Sequence, residues 1–279
     1  MDDNPKSGIQ NPESARPDFA VIIVAAGAGD RMRAATKKAF IELGGDPLIL
    51  HSARVFGAMP EIGQVIVVLP APELVAETGE SESVVSIESP PKKATTLVRS
   101  LMRAGVTRLV AGGTRRQDSV HNGLKAAGAE FPFVAIHDAA RPFVTAGDLR
   151  AVFACTRECG AAILAHPARD TIKRVTGDVI RETVDRTSLW AAQTPQCFKR
   201  DDLLKAFEKH GARDVTDDAA LAALDGMICQ VVKGSPLNFK ITTPEDLELA
   251  EALMRTRNAS ATFKRLPDSE TIFDLGPRG

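Results

Sequence analysis

The sequence predicts an α/β domain with a mixed, mostly parallel sheet, and three observations carry that reading. Continuous apolar runs recur along the chain, glycine-bearing turns follow two of them, and stretches of helical spacing lie between. A strand that is apolar without alternation must be covered on both faces, which helices crossing over a parallel sheet provide. With 279 residues, 44% of them hydrophobic, the chain can supply a substantial core.

Residues 1–17 carry too little apolar surface to offset the entropy of ordering and are expected to form a mobile leader. They lack the basic and then apolar pattern of a signal peptide. From Phe19 onward, FAVIIVAA reads as the first buried strand, residues 48–56 as a helix and Gln64 to Pro70 as a second strand. Residues 71–96 are rich in Glu, Ser and Pro and are expected to be exposed and partly disordered, within a longer excursion over 71–105. Arg108 to Ala111 precedes GGTRRQDSVHNGLKAAG, where Ser119, Val120, Leu124 and Ala127 share a helical face. A third strand, Phe133 to Ile136, runs into His137 and Asp138. Residues 168–186 alternate on either side of Thr176, Gly177 and Asp178, which is a hairpin pattern. The faces of that hairpin are too polar for a central pair, so it lies on the surface or against another chain. A last strand at Ile228 to Lys233 leads to FKITTPEDLELAEALM, read as a strand end followed by an amphipathic helix with acidic residues in its first turn. The tail, 258–279, lacks apolar periodicity.

Composition excludes several classes of function. A formal net charge of −1 leaves no global electrostatic footprint for nucleic acid or an anionic membrane. The longest apolar stretch is far short of a membrane span, so a cytoplasmic protein is expected. Cys155, Cys159, Cys197 and Cys229 show no CxxC spacing and are read as reduced, mostly buried thiols. No histidine cluster has the spacing of a zinc site.

Ligands of open α/β sheets bind beyond the carboxyl ends of the strands, and the polar residues of this chain gather there. After the first strand come Gly27, Gly29, Arg31 and Lys38; before the second helix come Gly112, Gly113, Arg116 and Ser119; then Asp138 and Arg141; then Lys240 and Thr242. Glycines permit close backbone approach to phosphates, the cations balance their charge, and Asp138 suits a divalent metal or a ribose hydroxyl. His137 reads as hydrogen-bonded support rather than as a base. The loop VAAGAGDRMRAATKKAF fits neither the P-loop nor the dinucleotide pattern, because Met32 stands where each needs a small residue. An NAD-dependent oxidoreductase is disfavoured on that ground.

The pieces AAGAGDRM with Lys38, GGTRRQDSVHNGL, VAIHDAARPFV, VDRTSLWAAQTPQCF, VTDDAAL and NFKITTPEDLELAEALM occur in family order over residues 20 to 254. On these the chain resembles the 2-C-methyl-D-erythritol 4-phosphate cytidylyltransferase family of non-mevalonate isoprenoid biosynthesis. The resemblance implies a single Rossmann-like nucleotidyltransferase domain, 18–257, with a protruding β-hairpin arm at 168–186 that makes a homodimer. It implies Mg²⁺ as cofactor, and CTP and a polyol phosphate as partners, with no nucleic acid and no membrane. Arg31 and Lys38 would face the α-phosphate, and Arg186 and Lys240 the attacking phosphate. Ala25, Ala26, Gly27, Gly29, Gly113, Ser119 and Ala139 would fix cytosine and ribose, Asp138 would reach the ribose or the metal, and Thr216 and Arg141 would border the acceptor. Lys37 and Ala39 depart from the family's usual Pro and Gln. A cytidylyltransferase for another polyol phosphate, such as ribitol 5-phosphate, is the nearest rival, and a non-catalytic nucleotide-binding regulator is a more distant one.

Overall fold

The computed structural model describes residues 16–27 and 40–263, with side chains up to residue 257. The centre of the fold is β1 (Phe19–Val24), every residue of which is buried. Its alternate side chains enter opposite layers. Phe19, Val21 and Ile23 join α1 (Leu48–Gly57), α3 (Thr96–Arg103) and α5 (Ala146–Cys159), whereas Ala20, Ile22 and Val24 join α4 (Arg116–Ala126), α6 (Arg200–His210) and α7 (Asp218–Leu224). Phe19 stacks between Phe133 and Phe153, with ring centroids 5.1 and 4.1 Å away. Helix α4 lies so close to the sheet that a Cβ on Gly123 would fall 2.5 Å from Cγ2 of Ile22.

On either side of β1 run β4 (Ile62–Leu69) and β7 (Phe133–Asp138), both parallel to it. Beyond β4 come β6 (Arg108–Ala111), parallel, and β5 (Val84–Ser86), antiparallel. Beyond β7 come β11 (Trp190–Lys199), antiparallel to both its neighbours, then β8 (Ala161–Pro167) and β12 (Gln230–Lys233). The mixed sheet has eight strands in the order β12-β8-β11-β7-β1-β4-β6-β5. A small ladder, β2 (Glu42–Leu43) with β3 (Asp46–Pro47), precedes α1.

Three expectations need correction. The stretch 71–105 is folded: α2 (Ala71–Thr78), β5 and α3 bury Leu74, Val85, Val98 and Leu101. Its apolar residues are thinly spaced among polar ones, but Pro70 precedes the first turn of α2, Gly79 ends that helix at φ 73°, and the Thr95 hydroxyl caps α3 by accepting from Val98 N–H. FKIT is not a strand end. It is extended chain held by the Ile241 N–H, which donates to Ala140 O over 2.9 Å, and by the buried Ile241 side chain, which packs with Leu43, Leu48, Phe143 and Ala250. Of the cysteines, only Cys197 is buried, Cys155 and Cys229 are half-buried and Cys159 is exposed, all of them as free thiols.

The hairpin is β9 (Ile172–Thr176) with β10 (Val179–Val184), turning at Gly177 with φ 58°. It stands away from the main sheet, with Val175, Val179 and Ile180 more than half exposed. The final helix, α8 (Pro244–Phe263), starts where Asp246 accepts from Thr242 N–H and Thr243 N–H at 2.6 and 2.9 Å. It continues past Arg257 to Phe263, and no Gly or Pro interrupts 258–263.

Candidate active site

The hydrogen-bond ladders of β1, β6 and β7 continue one residue past the strands and draw three loops together. Ala25 N–H donates to Val68 O, Gly112 N–H to Leu69 O and Ala139 N–H to Val24 O. Gly112 has no room for a side chain, since a Cβ would lie 2.3 Å from that of Ala26. Ser119, at the start of α4, accepts from Gly113 N–H over 3.1 Å and so fixes the turn before the helix. Ala25 and Ala139 are buried, Ala26 is half-buried and Gly27 is exposed with open space where a Cβ would be. Gly29, Arg31 and Lys38 lie outside the described residues.

Asp138 ends β7 with its carboxylate between two cations. Oδ1 accepts from Arg116 Nε at 3.0 Å and Oδ2 from Lys240 Nζ at 2.6 Å. Arg116 also donates through Nη2 to Asp218 at 2.9 Å. Burial opposes the ionised form of Asp138, but Arg116 and Lys240 outweigh it and hold the carboxyl well below its usual range. Burial likewise opposes the charge on Arg116, and Asp218 with Asp138 more than restores it. Asp218, 2% exposed, is pushed up by burial, which Arg116 offsets only in part.

Behind Asp138 lies a second, uncharged network. Its backbone N–H donates to Thr194 Oγ1 at 3.1 Å, and that hydroxyl meets His137 Nδ1 at 3.2 Å. The Arg141 carbonyl beside Nε2 can only accept, which assigns the imidazole hydrogen to Nε2 and leaves Nδ1 to accept from the Thr194 hydroxyl. Nε2 faces Arg141 O and the Ser52 hydroxyl, each at 3.2 Å. Burial pushes His137 down to about 4, so it is neutral at pH 7 and serves as support.

The remaining expected residues are placed less uniformly. Arg141 donates through Nη1 to Asn238 O at 2.8 Å and through Nη2 to Ala192 O at 3.2 Å, so it braces the segment that carries Lys240. Thr216 is exposed, two residues before Asp218. Arg186 is exposed at the base of the arm, donating to Arg169 O, and the structure does not bring it to Lys240. Four polar residues that were assigned no role hold the loops. Gln117 donates to Gly211 O and Arg213 O and accepts from Val215 N–H; Gln196 accepts from Asp218 N–H and Ala219 N–H; Gln193 and Asn238 tie β11 to the loop before Lys240. The signal in the sequence was QTPQ itself, since buried glutamines are kept only where they are paired.

Among the described residues no three His, Cys, Asp or Glu side chains gather to hold a metal. Among the described residues Asp138 offers one carboxylate at the end of β7, shared with Arg116 and Lys240, which suits a Mg²⁺ ion that arrives on substrate phosphates and needs only one or two protein oxygens. It does not fit an all-protein cage.

Residues 19–256 match the IspD family model, 2-C-methyl-D-erythritol 4-phosphate cytidylyltransferase. Among proteins of that name, the chain is 41% identical to one from Halalkalibacterium halodurans over 239 residues, covering 85% of this chain and 97% of the other. It is 39% identical to another from Bacillus velezensis over 246 residues, 87% and 98% of the respective chains. The solved structure of a 2-C-methyl-D-erythritol 4-phosphate cytidylyltransferase from Thermus thermophilus superposes with a TM-score of 0.65 at 31% identity, over 85% of this chain and 98% of that one. A 4-diphosphocytidyl-2C-methyl-D-erythritol synthase from Anaerococcus prevotii gives a TM-score of 0.69 at 28% identity, over 85% and 96%.

Proposed function

The chain belongs to the 2-C-methyl-D-erythritol 4-phosphate cytidylyltransferase family, and from that premise we propose that it joins CTP to 2-C-methyl-D-erythritol 4-phosphate, giving 4-diphosphocytidyl-2-C-methyl-D-erythritol and pyrophosphate. A phosphate oxygen of the acceptor attacks the α-phosphorus of CTP. The new P–O bond forms as the bond to the bridging oxygen breaks, and pyrophosphate departs in line. The nucleophile is already ionised, so no general base is required. Bringing two anions together and balancing the charge of the transition state is the whole task.

One observation carries this reading: the described polar centre offers cations and glycine-lined backbone at the carboxyl ends of parallel strands, and its one histidine is neutral and enclosed. Lys240 is assigned to the acceptor phosphate, with Arg186 completing that site from the arm. A partner subunit would supply the arm, and the exposed Val175, Val179 and Ile180 support a homodimer through 168–186. Arg31 and Lys38 are assigned to the α-phosphate; Ala25, Ala26, Gly27, Gly29, Gly113, Ser119 and Ala139 to the nucleoside; and Thr216 to the acceptor. Mg²⁺ carried by the triphosphate would be held through Asp138, supplying charge neutralisation at the phosphates. The catalytic unit is assigned to 18–257. No helix among the described residues is long and apolar enough to cross a membrane, which supports a cytoplasmic site of action.

Pyrophosphate release with CTP, Mg²⁺ and a panel of polyol phosphates tests the reading. Release is expected with 2-C-methyl-D-erythritol 4-phosphate, and equal or faster turnover of ribitol 5-phosphate would overturn it.

A further inference from the structure

Four charges stand in an alternating row: Lys240, Asp138, Arg116 and Asp218, with successive contacts of 2.6, 3.0 and 2.9 Å. One end is open and the other is closed, since the Lys240 side chain is 37% exposed and that of Asp218 only 2%. Each inner member serves both neighbours with different atoms. Asp138 gives Oδ1 to the arginine and Oδ2 to the lysine, and Arg116 gives Nε to one carboxylate and Nη2 to the other. A planar guanidinium holds two carboxylates apart in a fixed geometry, whereas an ammonium on its flexible stem does not fix their separation. The closed end is fixed, because Asp218 opens α7 with its N–H donating to Gln196 Oε1 at 3.1 Å.

We infer that Arg116 and Asp218 are positioning residues that set where the Lys240 amine stands, by controlling how much of the Asp138 carboxylate is left to it. The inference rests on the reading of Lys240 as an acceptor-binding residue. If Asp218 were absent, Arg116 would turn both of its donors onto Asp138 and displace Lys240. If Arg116 were absent, the whole of Asp138 would close on Lys240 and take its charge away from an incoming phosphate. Either change spoils the acceptor site, but the two move the amine in opposite directions. A purely structural ion pair has no such property.

The test is trace acetylation of Lys240 with acetic anhydride, read by mass spectrometry on the unliganded protein, together with steady-state kinetics. In Asp218→Asn the labelling of Lys240 is expected to rise about fivefold, and in Arg116→Gln to fall by a similar factor, the scale of one screened charge pair. Both variants should lower kcat/KM for the acceptor about tenfold or more, as expected on losing a charged hydrogen bond. The double variant should lose no more than Arg116→Gln alone, because both act through one chain of contacts. Asp218→Glu, which keeps the charge, should restore labelling to within about twofold of wild type; should Arg116→Gln fail to fold, the comparison of Asp218→Asn with Asp218→Glu decides alone. Labelling that moves the same way in both variants, or not at all, or losses that add in the double variant, would overturn the inference. Absence of pyrophosphate release by the wild-type enzyme would instead sink the functional reading, and the labelling would still report on the row.

Discussion

Replacing Thr194 by Val keeps the shape of the side chain and removes one hydroxyl, which accepts from the Asp138 N–H and faces the His137 ring. Two buried polar groups lose their partner, the Asp138 N–H at 3.1 Å and His137 Nδ1 at 3.2 Å. Each stranded group costs about 1–3 kcal/mol. Exchanging a hydroxyl for a buried methyl returns about 1 kcal/mol, so the net loss is about 1–5 kcal/mol. For a domain of this size 1 kcal/mol lowers Tm by about 2–4 °C, and the variant should melt roughly 2–20 °C below wild type. Because the same hydroxyl fixes the residue that carries Arg116 and Lys240, kcat should also fall by about tenfold, the effect of losing roughly 1.4 kcal/mol of transition-state positioning. Calorimetry and pyrophosphate release measure the two effects. A Tm within about 2 °C of wild type would refute the argument, since no rearrangement in view supplies a new partner to both groups.

Three further outcomes are expected. His137 is held at about 4 against an ordinary 6.5, so the unfolded chain takes up a proton over that interval while the folded chain does not. Stability from this group is therefore full above pH 6.5 and lost as pH falls toward 4, by about 3 kcal/mol. Asp218, raised by burial, acts in the opposite sense, so the measurement is the difference in urea midpoint between wild type and His137→Asn at pH 7 and pH 4.5; parallel slopes would exclude the effect. Gly57→Ala would set a Cβ 1.9 Å from Ala104 O, a backbone atom that cannot swing aside. It should destabilise by at least about 2 kcal/mol even after the helix-propensity gain, and a raised midpoint would contradict this packing. Lys38→Ala should reduce kcat about 10²–10³-fold with little change in CTP affinity, on the scale of losing one preorganised donor; an undiminished rate would remove Lys38 from the reaction.

The parts of the fold most legible in the sequence were those whose burial is apolar on both faces. FAVIIV, GQVIVVL and FVAIHD are β1, most of β4 and β7, and the central sheet follows from them. Strand β11 was not legible, because Gln193, Thr194 and Gln196 are buried for their hydrogen bonds and break the apolar pattern. In the site, Asp138 and Lys240 could be placed by their positions at element ends. The two backbone carbonyls that Arg141 satisfies were not legible, since Ala192 and Asn238 are brought to it only by folding. Asp218 was hidden as one of two adjacent aspartates. Only folding separates them, Asp217 capping α7 and Asp218 reaching Arg116.

The central place of β1 has a consequence for how the protein is made. Its two neighbours are β4, about forty residues later, and β7, more than a hundred residues later. A ribosome adding about 5–20 residues per second delivers the first strand several seconds before the second flank that covers it. Throughout that interval a fully apolar ribbon has one edge without a strand to pair with. Translation rate between Leu69 and Phe133, rather than the stability of the finished sheet, should then govern how much chain is lost to aggregation, and slow codons in that stretch would lengthen the exposure.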